Sequence, residues 1–169
     1  ETVSALNIPD DREGEVTGAF ADSDSPFGLD SFTDVNILAL NLSVSGSGTV
    51  AVDVNLTGNV ISNTVLTTID NSTVTATTGN LTMAAESSAR ITSLSLGVGA
   101  SGTVSVGAVG FGNVIANTVE SVIKNGATVS AGGALGLGAA DRSAIDSIGL
   151  SISASGGVAV SAIVGYNEI

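Results

Sequence analysis

Ser93-Leu94-Ser95-Leu96-Gly97-Val98-Gly99-Ala100-Ser101-Gly102-Thr103-Val104-Ser105-Val106-Gly107-Ala108 is the stretch on which the fold turns. Leu94, Leu96, Val98 and Ala100 alternate with Ser or Gly, and beyond Ser101-Gly102 the alternation resumes through Val104, Val106 and Ala108. A period of two residues belongs to a β-strand with one buried face. The alternation therefore predicts that the even-numbered residues from Leu94 to Ala108 face an interior, with Ser95 and Ser105 outward. On that register Val106→Asp would bury an unpaired charge and prevent folding.

The pattern recurs on both sides. Ser47-Gly48-Thr49-Val50, Ser101-Gly102-Thr103-Val104 and Ser155-Gly156-Gly157-Val158 are spaced 54 positions apart. Gly58-Asn59-Val60-Ile61 returns as Gly112-Asn113-Val114-Ile115 and, more weakly, as Tyr166-Asn167-Glu168-Ile169, at the same spacing. Leu38 to Val44 with Val50 to Val54, and Ile148 to Ala154 with Val158 to Ala162, alternate as the central stretch does. Shorter groups follow at Val74 with Ala76, Leu81 with Met83 and Ala85, and again at Val129 with Ala131, Leu135 with Leu137 and Ala139. Val74 aligns with Val129, and Ala84-Ala85-Glu86 with Ala139-Ala140-Asp141, at 55, with a return to 54 at Ile91 and Ile145. The copies run over 37–90, 91–144 and 145–169, the last being partial.

No stretch carries a helical stripe, so the chain reads as all-β. One copy cannot bury its own apolar face, whereas stacked copies share a continuous core. The expected architecture is a β-solenoid, parallel and β-helix-like, built from the 54-residue repeats. A tight hairpin at Ser101-Gly102 is the competing reading and would make part of each copy antiparallel. Asn59, Asn113 and Asn167 read as structural turn residues, either stacked in a ladder or tolerating a left-handed backbone. Residues 1–36 lack the repeat and read as an acidic cap, arm or linker.

Composition narrows the function. The 169 residues include no Cys, no His and no Trp, and aromatics make up 3%. This excludes a disulfide scaffold and removes the usual general base and the commonest zinc ligand. A formal charge of −12 argues against nucleic acid and anionic membrane as partners. No apolar run reaches the roughly 18 residues of a membrane helix. An outer-membrane barrel would carry aromatic girdles, which Phe20, Phe27, Phe32, Phe111 and Tyr166 do not supply. Glu1-Thr2-Val3 suits a mature or excised start.

Thr128-Val129-Ser130-Ala131-Gly132-Gly133 with Leu135, Leu137 and Ala139-Ala140-Asp141, matched by Thr73-Val74-Thr75-Ala76 through Ala84-Ala85-Glu86, resembles the repeats of large bacterial surface proteins. These are the filamentous-haemagglutinin-like and leukotoxin-type filamentous adhesins, and the likeness covers residues 37–169. The resemblance implies secretion, a long β-helical shaft and attachment to surfaces or other cells, and brings no catalytic residues.

The expectation for function is a non-enzymatic structural protein, a shaft or subunit of a surface filament, located outside the cell or on a bacterial surface. An adhesive or glycan-binding module of a larger adhesin is the alternative. Assembly is expected head to tail as a homo-oligomer, with Val158, Val160, Ala162, Val164 and Ile169 meeting residues 1–20 of the next copy, or else as continuation of a longer chain. Asp22, Asp24, Asp30 and Asp34 form an acidic cluster whose candidate ion is calcium, against a plain solubilising loop, and no other cofactor is expected. Acids in the repeats are single and differ between copies, with Asp53 opposite Gly107 and Glu120 opposite Leu66, which is not the paired arrangement of a glycosidase. The Thr73, Thr75 and Thr77 row does not persist as an ice-binding face would. The glycosylation-like signals at Asn41, Asn55, Asn71 and Asn80 fall in one copy only.

Overall fold

A computed structural model describes residues 16–17 and 27–169. Alternating Val, Ile, Leu, Thr and Ser, with only two Pro in the chain, favour extended backbone over long stretches. The described residues form twelve strands and no helix: β1 Val16–Thr17, β2 Phe27–Ser47, β3 Val50–Ile61, β4 Thr64–Asp70, β5 Thr73–Ala76, β6 Leu81–Ser101, β7 Val104–Ile115, β8 Thr118–Lys124, β9 Thr128–Ala131, β10 Leu135–Asp141, β11 Ala144–Ser155 and β12 Val158–Glu168.

The sheets follow the orders β1-β5-β9, β10-β6-β11 with β2 also on β6, β12-β7-β3, and β4-β8. Pairing is parallel: Val50 opposes Val104, which opposes Val158, and Thr64 opposes Thr118. The hairpin reading is thereby overturned. β6 and β7, joined across Ser101–Gly102, belong to different sheets, so this link carries the chain from one sheet to another. Gly102 suits that link, because a Cβ there would lie 2.1 Å from the Gly48 carbonyl oxygen.

Register explains the offset change. Asp70 opposes Lys124, but Thr73 opposes Thr128, so the second turn is one residue longer. Leu81 then opposes Leu135, and Ala84, Ala85 and Glu86 oppose Gly138, Ala139 and Ala140. The expected alignment of Ala84–Glu86 with Ala139–Asp141 is therefore corrected by one residue, since the short turn at Gly132-Gly133 has already removed the insertion. Among the described residues, positive φ occurs at Asn71 (43°) and Asn125 (54°), and at Gly79 (90°) and Gly126 (75°). Asn59, Asn113 and Asn167 lie inside β3, β7 and β12, so their expected place in turns is corrected.

β2 runs unbroken across positions 36 and 37, where the sequence suggested a boundary. The chain divides instead into two compact units, each gathering separated stretches. Unit one holds the described part of Glu1–Asp34 with Ser62–Ser88 and Asn117–Arg142. Its interior is apolar: Ile69, Val74, Ala76, Leu81 and Met83 pack with Leu29, Ile123, Ala127, Val129 and Ala131. Unit two holds Val35–Ile61, Ala89–Ala116 and Ser143–Ile169. It has a small apolar cluster of Ile61, Ala89, Ile91 and Ile115, with Val35, Ile37 and Ile145 against it. Ala51 and Val109 are also buried there, and the remaining buried side chains named in this unit are polar: Asp53, Asn55, Ser93, Ser95, Ser105 and Asn113.

Candidate functional site: two apolar sheet faces over a polar interior

In unit two the expected register is inverted. Ser95 and Ser105 are buried, Ser105 with no exposure at all, while Leu94 is exposed and Val106 is 36% exposed. The buried row of β6 stays on odd-numbered residues from Leu81 to Gly99. The apolar residues change sides: Leu81, Met83, Ala85 and Ile91 are inward, but Leu94 and Ala100 are outward. No bulge resets the strand, because β11 pairs β6 without interruption from Ala144↔Arg90 to Ser155↔Ser101. Val106→Asp would accordingly place its charge on an outer face, and the expectation of lost folding is withdrawn.

Side-chain size decides which row goes inside. A Cβ on Gly97 would lie 2.7 Å from Asp53 Oδ2, one on Gly99 2.9 Å from Ser105 Oγ, and one on Gly107 2.6 Å from Ser153 Oγ. At these positions the layer between the sheets thus has no room for Leu or Val, and Gly97 leaves the space that the buried Val109 fills. One large inward ring is admitted: Phe111 fits because its neighbours are Gly149 and Gly165, where a Cβ would come within 2.6 Å and 2.4 Å of the ring.

Hydrogen bonds hold the polar interior. Asn59 Nδ2 donates to Asn113 Oδ1 at 2.7 Å, and Asn113 Nδ2 donates to Asn167 Oδ1 at 3.0 Å. Asn113 Nδ2 also reaches Ser93 Oγ at 3.1 Å and Ser147 Oγ at 2.8 Å, tying the inner faces of the two sheets together. Ser43 Oγ donates to the buried Asp53 at 2.9 Å, Asn41 Nδ2 donates to Thr57 Oγ1 at 2.7 Å, and Asn55 Nδ2 donates to the Leu96 carbonyl at 3.1 Å. The hydroxyls of Ser105, Ser151 and Ser153 are buried with no partner among the described residues.

Outside lie the aliphatics. On β12-β7-β3 the outward positions are Val50, Val52, Val54, Leu56 and Val60, Val104, Val106 and Val114, and Val158, Val160 and Val164. Gly58, Gly110 and Gly112 interrupt this field, leaving a depression of about 470 Å³ lined by Leu56, Thr57, Gly58, Gly110, Phe111, Gly112 and Val164. On the other sheet Leu94 opposes Ile148, Leu96 opposes Leu150 and Val98 opposes Ile152, beside the exposed Leu38, Leu40, Leu42 and Val44 of β2.

The residues singled out from sequence sit as follows. Asp22 and Asp24 lie outside the described residues. Asp30 and Asp34 are on β2, both exposed. Strand rise puts their Cα atoms about 13 Å apart, beyond what two Asp side chains span to one calcium ion. Among the described residues no three His, Cys, Asp or Glu come together. Val158, Val160, Ala162 and Val164 face outward on β12, and Ile169 follows the strand. Val16 and Thr17 pair with Val74 and Thr75 of their own chain, so these two positions are already engaged within it. Glu120 and Leu66 are paired, as are Asp53 and Gly107. The Tyr166 hydroxyl donates to Glu168, and that bond, with the carboxylate's charge, holds the phenol above its ordinary value. No helix among the described residues is long and apolar enough to cross a membrane.

Sequence reasoning missed the outward aliphatic faces. The signal was present: the apolar phase changes from odd at Ile91 to even at Leu94. No family model, curated protein or solved structure matches the chain.

Proposed function

We propose that the chain is a structural segment, a β-solenoid shaft with one coil per 54 residues, belonging to an extracellular filament on a bacterial surface. The observation that carries this reading is parallel pairing of like with like across β3, β7 and β12: Val50, Val104 and Val158; Val52, Val106 and Val160; Asn59, Asn113 and Asn167. Rows of identical residues in adjacent parallel strands suit a form that extends by repetition. The side-chain amide row at Asn59, Asn113 and Asn167 adds a hydrogen-bonded seam along that direction. In this proposal the outer edge of β12 receives the next strand, from continuation of the chain or from another copy, and no catalytic step is involved.

A glycan-binding module is the competing proposal. Sugar recognition favours stacked aromatic rings, and Tyr166 is the sole aromatic among the outward positions of β3, β7 and β12. The shaft reading is tested by inserting one or two extra copies of residues 91–144 and measuring particle length by electron microscopy. Each copy is expected to lengthen a rod by about 4.8 Å. Compact particles whose length ignores copy number would overturn it.

A further inference from the structure

We propose that the two outer faces of unit two are lateral docking surfaces for further copies of this chain, stacked sheet face on sheet face. The inference deepens the shaft reading by naming what its sides bind.

The extent of the faces comes first. Exposure runs from 74% at Leu56 and 73% at Val44 on the outer strands down to 41% at Leu94 and 36% at Val106 on the middle ones, and each face presents on the order of 1,000 Å² of largely apolar surface. Ordinary monomers show patches of about 300–600 Å², and a stable interface needs roughly 800 Å² per partner. Two such faces on one unit are therefore interface-sized.

Energetics point the same way. Folding is driven chiefly by apolar burial. Across much of unit two the interior holds Ser, Asn, Gly and Asp53, several hydroxyls lacking partners, while Leu and Val stay in water. Covering the outer faces is what lets those side chains contribute.

Charge selects the occupant. The outward residues from Val50 to Val60 and from Val104 to Val114 carry no charge, nor do those from Leu94 to Ala100 and from Ile148 to Ala154. Copies bearing −12 each repel one another, and they approach at least cost through these faces, whose charges, Glu168 and the Arg90–Asp146 pair, stand only at the strand ends. A lipid surface fits poorly. The sheets are open, leaving strand edges that hydrocarbon does not tolerate, and the chain has no Trp for an interfacial belt.

Shape supplies the fit. The depression at Gly58, Gly110 and Gly112 takes an aliphatic knob from the opposing face. Because the two sheets of unit two meet through their inner faces, the apolar faces look in opposite directions. Covering one leaves the other open, and stacking continues sideways.

The test is sedimentation velocity of the full 169-residue chain, with circular dichroism as the check on folding. The wild-type chain is expected to sediment as multiples of 16.4 kDa. Val52→Lys with Val160→Lys blocks one face, Leu42→Lys with Leu150→Lys blocks the other, and all four together should give a folded monomer. Should lysines impair folding, Gly112→Val serves instead. Its Cβ meets nothing within 4 Å, so it fills the depression without strain and should weaken association at least about tenfold with an unchanged melt. A wild-type chain that stays monomeric at its solubility limit overturns the proposal. So does association unaffected by Gly112→Val, or flotation with phosphatidylcholine vesicles in place of self-association. Micrographs keep the two readings apart: single unpaired rods sink the lateral contact alone, and compact particles sink the shaft.

Discussion

Two halves of one strand set the terms for this protein. Leu81, Met83 and Ala85 form the buried row in the first half of β6, and Ser93, Ser95, Gly97 and Gly99 form it in the second. The backbone alternation is unbroken between them, yet the chemistry of the two sides is exchanged. In unit one the interior is wide enough for Leu and Met, and apolar burial stabilises it in the ordinary way. In unit two the facing layers around Gly97, Gly99 and Gly107 leave space for little more than a hydroxyl or a hydrogen atom, so polar bonds and close approach replace much of the apolar packing there, and Val109 and Phe111 fill the room that glycines leave. A period of two shows that a strand has two different sides. Which side is inside depends on the distance to the next layer.

The comparison can be broken most severely with one substitution placed on each half. Met83→Asp buries an unpaired carboxylate among Ile69, Val74 and Leu81, at a cost of several kcal/mol, comparable with total stability. Leu94→Asp, on the same strand but outward, should cost about 1 kcal/mol and keep the fold. Urea melts followed by circular dichroism check both, and loss of fold in the second would show that Leu94 faces an interior after all.

A smaller effect sharpens the account of the polar layer. Asn113→Ala removes the donor to Ser93, Ser147 and Asn167 and the acceptor for Asn59. The expected loss is about 1–3 kcal/mol in the midpoint of chemical unfolding. Asn113→Leu should be worse, because the narrow layer must then accept a branched side chain. Equal stability of Asn113→Leu and wild type would mean that the layer is wider and more apolar than described.

The smallest effect belongs to the rim of unit one. Arg142, in the link just past β10, pairs with Glu86 of β6, with the arginine side chain 67% exposed. Arg142→Ala should cost no more than about 1 kcal/mol, and the difference should shrink in high salt. A loss as large as that of Asn113→Ala would contradict the view that this pair is peripheral.

The all-β class was legible from alternation and from the want of any helical stripe. So was the place of most strands, because Ser-Gly, Asn-Ser and Gly-Gly punctuate the aliphatic runs between them. The parallel character was expected from repetition, and the pairing of Val50 with Val104 is of that kind. Asn113 was singled out by its recurring position, although its neighbours Ser93 and Ser147, brought in from β6 and β11, were not. Asn71 and Asn125 were passed over because their left-handed backbone leaves only a mild trace in sequence.

Polarity decided the wrong side in unit two. Local sequence determined that Leu94 and Ser95 point in opposite directions, since consecutive side chains on a strand must. Only the tertiary structure decided that Ser95 goes inside. That choice depends on Asp53, Ser105 and Val109 arriving from other strands, close enough that Gly97 and Gly99 have no room for a methyl group. Contacts of that kind join residues far apart in the chain, and no window of sequence contains them.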